Sequence, residues 1–106
     1  MDLTHFPPRP TVDDCYPDNN GHVTVSHGHP HPLAGDTIGL VWEQPAGDYT
    51  YTTWAIPLPP RDEWGTADTW AHAVEELIEF AAVTWERDVE WEMWNQRRVY
   101  GRRWVA

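Results

Sequence analysis

His27, His29 and His31 sit two residues apart, and this is where the chain's residue types come closest to a chemical site. In extended backbone alternate side chains point the same way, so three imidazoles at this spacing could converge on Zn, Ni or Cu. His22 and Asp36 are near in sequence. Against convergence, Gly28 and Pro30 interrupt the extended run, and no Cys or Glu stands close by to complete a ligand set. The favoured expectation is a solvated, proline-restrained loop with no metal and no other cofactor; the alternative is a His-loop metal binder or metalloenzyme.

Nucleophilic chemistry has less to work with. Ser26 is the one serine and precedes His27, but adjacency alone does not place hydroxyl and imidazole in productive geometry. Cys15 is the one cysteine, which rules out an internal disulfide and a Cys-rich zinc site. The carboxylate pairs Asp13-Asp14, Asp62-Glu63 and Glu75-Glu76 read as solvated surface on so acidic a chain. There is no Walker A motif and no G-x-G-x-x-G, so no phosphate cradle is signalled. The balance is towards a non-enzymatic protein.

Binding chemistry is better represented. Glu75, Glu76, Glu79, Glu86 and Glu90 fall on one side of a helical pattern, as a solvated face or as a surface for a basic partner. Eight Trp in 106 residues is a high load. Trp42, Trp54, Trp70 and Trp85 suit a core; Trp64 precedes the helix; Trp91, Trp94 and Trp104 do not share the core stripe. Trp buries much area at little entropic cost and is enriched at binding hot spots. Arg87 and Trp91, and Trp94 and Arg98, are four apart, a spacing that makes cation–π stacking available on a helix. Residues 97–106 carry four Arg and no acid, whereas the other 96 carry three Arg and 17 acids. A −14 body disfavours direct nucleic-acid binding, so the tail is expected to meet the protein's own acids or a neighbouring subunit.

The elements that must position these groups are few. Residues 1–20 read as an irregular Pro-rich arm, with Phe6, Val12 and Tyr16 available to pin it, and 21–106 as one α+β domain. His22–Ser26, Thr37–Glu43 and Tyr49–Ile56 carry strand signals, the last two joined by a hairpin-length loop. Thr66 is the expected N-cap of a long helix whose stripe Trp70, Ala73, Val74, Leu77, Ile78, Ala81, Ala82 and Trp85 faces the core. Asp88 and Glu92 break that stripe, so the helix either bends near 86–88 or runs past the body. The expected fold is a small antiparallel three-stranded sheet packed by one long C-terminal helix, the tail adding an edge strand. Its core is expected to draw on Val23, Val25, Ile38, Leu40, Trp42, Trp54, Ile56, Val74, Leu77, Ile78, Ala81 and Trp85.

Length fits one domain. Seven basic residues, all Arg, against 17 acids give −10; the absence of Lys reads as a GC-rich genome, such as an actinobacterium or its phages. With one Cys, no apolar leader and no run of ~20 apolar residues, a cytoplasmic protein without membrane contact is expected. Together these favour an acidic protein-binding module, in the narrowest form a small phage accessory protein inhibiting a host or defence factor. Its partner is expected to be a protein with a basic surface. The alternative is a structural subunit of a virion or other assembly, self-associating through the C-terminal Trp/Arg segment. The partner-binding residues are expected to be Trp91, Trp94, Arg98 and Trp104 with the five glutamates.

Overall fold

A computed structural model describes residues 6–55 and 57–105, and their side chains as far as residue 93. The fold is α+β: a five-stranded antiparallel sheet against one helix. The strands are β1 (Cys15–Pro17), β2 (His22–Val25), β3 (Thr37–Glu43), β4 (Tyr49–Thr53) and β5 (Gly65–Ala67), lying side by side in chain order, and the helix is α1 (Trp70–Val105). The expected three strands are the middle of this sheet, and the other two were hidden by local chemistry. β1 falls within the stretch expected to be irregular; its Pro17 ends an edge strand, where a missing N–H leaves no ladder bond unmade. β5 holds Thr66, whose side chain was expected to cap the helix. Thr69 does so instead: its Oγ1 accepts the His72 N–H at 3.1 Å.

Turns set the register. Between β1 and β2, Asp18 Oδ1 accepts the N–H groups of Asn20 and His22, and Gly21 takes φ +79°. Between β3 and β4, the Gly47 N–H donates to the Gln44 carbonyl, and Gly47 takes φ +93°.

A bulge in β3 decides which side chains meet the helix. Val23 pairs with Gly39 and Thr24 with Thr37, so Ile38 is an extra residue on its strand. Ile38 and Val41 join the core under α1, with Val23, Val25, Val74 and Leu77. Gly39 also faces the helix, since a Cβ there would meet both Leu77 methyls. The alternation is thereby offset, and Leu40 and Trp42 belong to the opposite face. Ile38, Leu40 and Trp42, all expected in the core, therefore do not share one face, although Leu40 is buried as expected.

Two expected core tryptophans change place as well. Trp54 lies beyond the end of β4 and is 43% exposed. Trp42 is half-buried, with the Arg61 guanidinium 5.9 Å from its ring centre and 4.8 Å from that of Trp64. Ile56 lies outside the described residues. Cys15, Val41 and Ala67 are core residues the expected set lacked, while Ala73 and Ala82 of the expected stripe are fully buried.

α1 is one unbroken element of 36 residues, about 54 Å long at 1.5 Å per residue. The tail therefore continues the helix and adds no edge strand. No proline follows Pro60, and Gln and Arg are good helix formers, so nothing in 94–100 stops propagation. The molecule measures 65 × 30 × 20 Å, its length set by this helix.

Candidate functional site

The His loop joins β2 to β3 and folds back onto α1. Of its three imidazoles, His27 is exposed, His29 half-buried and His31 buried to 1% exposure. Each of the inner two spends its Nδ1 on the loop's own backbone. His29 Nδ1 accepts the His31 N–H at 3.0 Å, and His31 Nδ1 accepts the Leu33 N–H at 3.1 Å. That bond leaves the proton of neutral His31 on Nε2, which is buried and has no hydrogen-bond partner among the described residues. His29 Nε2 stands 3.4 Å from Asp14 Oδ2. His31 meets Trp85 edge-on, ring centres 4.9 Å apart, and Phe6 meets the same indole at 5.7 Å. The rings do not share a centre, and among the described residues no three His, Cys, Asp or Glu side chains are grouped to hold a metal ion. The loop is not simply solvated, as expected from its prolines; its last histidine is a plug against the helix.

The arm closes over the same region. Arg9 Nε and Nη2 donate to the two Glu86 oxygens at 2.9 and 2.8 Å, a fork-on-fork pair. The guanidinium holds the Glu86 carboxyl below its usual range, and the carboxylate raises Arg9. Glu86 is thus spoken for within the molecule. Burial holds His31 below the usual imidazole value, with His29 and Arg9 acting in the same direction and Glu86 against it. Burial likewise pushes the Cys15 thiol up to about 11, so it is a protonated packing group at neutral pH.

The opposite side of α1 is differently dressed. Phe80, Thr84, Arg87 and Trp91 follow one another at steps of four, three and four, and all are exposed, Phe80 to 57% and Trp91 to 64%. Of the expected acidic face, Glu75, Glu76, Glu79 and Glu90 are exposed; Glu76 and Glu79 border this ridge, whereas Glu75 lines a groove against the arm with Arg9, Thr11 and Val12. On one flank a cleft of about 500 Å³ is lined by Leu33, Ile38, Trp54, Phe80, Ala81 and Thr84. On the other, a groove of about 330 Å³ is lined by Glu76, Glu79, Phe80, Val83, Thr84 and Arg87. The side chains of Trp94, Arg98 and Trp104 lie outside the described residues; in the sequence Trp94 and Arg98 extend the ridge by three and four.

The structure therefore places Glu76 and Glu79 beside the ridge that carries Phe80 and Trp91, turns Glu75 towards the arm, assigns Glu86 to Arg9, and separates the histidine loop from the ridge. Phe80 and Trp54 are the site residues that sequence reasoning missed. Phe80 had a signal, a large apolar residue off the core stripe and seven residues before Arg87; Trp54 had none, because only the end of β4 at Thr53 exposes it. No known family, curated protein or solved structure matches the chain.

Proposed function

We propose that this chain is a non-enzymatic protein-binding module whose working surface is the outward ridge of α1. The observation that supports it is the exposure of Phe80 and Trp91 along one side of α1, Phe80 between two clefts and beside the exposed carboxylates of Glu76 and Glu79. Large aromatics left in water on a rigid element serve as anchors in binding interfaces. The exposed glutamates add a field that favours a partner with a basic surface. A small phage accessory protein that blocks a host or defence factor is the narrower form of the proposal. The absence among the described residues of any helix apolar enough to cross a membrane is consistent with a surface that works in water.

The test is capture by the immobilised chain from an extract of cells that make it. A basic protein should be retained at low salt and released as salt rises. The Phe80→Ala/Trp91→Ala pair should weaken retention at least ~30-fold, the loss of one strong hot spot. Both positions are exposed, so the variant should keep its circular dichroism. Retention undiminished by the double substitution would contradict the proposal.

A further inference from the structure

We propose that the β2–β3 loop is a pH-sensitive latch on α1, closed only while His31 and His29 are neutral. The proposal stands on how the loop is built and does not rest on the binding module.

Imidazoles tie the two inner turns of this loop. His29 Nδ1 accepts the His31 N–H, and His31 Nδ1 accepts the Leu33 N–H. An Asn in that role stays an acceptor at every pH. An imidazole does not: protonation puts an N–H on both ring nitrogens, and Nδ1 then turns a donor towards a donor. One proton on either ring therefore unties a turn. On His31 it does more. The charge would sit on a buried ring packed edge-on against Trp85, where Nε2 has no acceptor among the described residues.

The charged groups facing His31 come from the loop, the arm and α1. Arg9 of the arm and a charged His29, ring centre 6.4 Å away, repel an imidazolium there; Glu86 of α1 attracts it. Glu86 has both oxygens on the Arg9 fork and makes no hydrogen bond to the ring. Asp14 faces His29 Nε2 at 3.4 Å, so a charged His29 keeps that contact while losing the His31 N–H. Burial leads the balance at His31, so the ring takes a proton less readily in the closed loop than in water, and acid favours the open loop.

The opening stays local because the base of the loop is tied separately. The Val25 N–H donates to the Asp36 carbonyl at 3.0 Å, and the Gly35 N–H to the Val25 carbonyl at 2.8 Å. Neither bond involves a titrating group. The Arg9–Glu86 fork also survives mild acid, since its carboxyl is held below the usual range. Residues 26–34 are therefore the moving part, and Trp85 loses the cover of His31 while the sheet and the arm stay in place.

The test is amide hydrogen exchange by NMR at pH 7 and pH 5, corrected for the intrinsic pH dependence of exchange. Protection of the His31 and Leu33 amides should fall about tenfold at pH 5, through linkage to the imidazole protons. The β3–β4 ladder amides should keep theirs. In His29→Asn/His31→Asn the side chains accept the same N–H groups without titrating, so both amides should be equally protected at the two pH values. His29→Asn alone, at a half-buried position, should free the His31 amide from pH and leave the Leu33 amide dependent on it. Three results would each overturn the latch: unchanged protection of the two amides in the unaltered chain, a loss shared by the β3–β4 ladder, or a loss that persists in the Asn variants at the turn they replace.

Discussion

Gly39→Ala should destabilise the domain by about 3 kcal/mol, the upper end of what one added core methyl does in a packed interior. Gly39 sits where β3 passes under α1. A Cβ there would strike the Thr52 carbonyl oxygen on the neighbouring strand and approach the two Leu77 methyls at 2.7 and 2.8 Å. The methyls can turn aside; the carbonyl belongs to the β3–β4 ladder and cannot move without breaking it. Leu77→Ala, at a fully buried position, should cost about 3 kcal/mol on its own by leaving a cavity. It should also fail to rescue Gly39→Ala, since it removes only the yielding half of the clash. Thermal unfolding checks this, with each single variant expected to melt roughly 15 °C lower. A double variant as stable as Leu77→Ala alone would show that the strand-to-strand contact is not what excludes a side chain at Gly39.

The second large effect is expected in mild acid, through His31. Its folded-state pKa is depressed, chiefly by burial, so the unfolded chain takes up a proton more readily than the folded one. The stability held by the neutral ring is complete above the ordinary imidazole value of about 6.5 and is lost as pH falls below it. Asp14 and Glu86, also depressed, act in the opposite sense to a raised group and in a lower window. Their stabilisation is present above the ordinary carboxylate range of about 4 and is lost only as pH falls through and below it. The two windows can therefore be read apart. Between pH 7.5 and 5 the melting temperature should fall in the unaltered chain. In His31→Asn, which keeps an acceptor for the Leu33 N–H but has no titrating ring, it should change much less over that range. Equal slopes in the two proteins would contradict the account of His31 as a neutral plug between the loop and Trp85.

Much of this architecture can be read from the residues, and the failures have physical causes. The Trp70–Trp85 stripe and the β3–β4 pair follow from periodicity, because burial on one side of a helix or sheet leaves a regular mark. A bulge leaves no such mark: Ile38 looks like the start of an alternating run, yet its extra position turns Leu40 and Trp42 to the far face. Edge strands of three residues leave almost none, and Pro17 and Thr66 carried stronger signals for other structures. The candidate site divides in the same way. Trp91 and the glutamates were legible because helical spacing puts them off the core stripe. The engagement of Glu86 by Arg9 was not, because it joins residues 77 apart in the chain. Nor was the burial of His31, which depends on where the β2–β3 connection lands on α1.

The central claim is that the outward ridge of α1 is a contact surface, and the most direct measurement is photo-crosslinking from within it. A benzophenone side chain in place of Phe80 should, on illumination in cells that make the protein, form a discrete adduct. A second copy would give twice 12.3 kDa and a different partner another mass. The same group in place of Ala46, exposed in the turn between β3 and β4, should form none. No adduct from Phe80, or the same adducts from both positions, would contradict the claim.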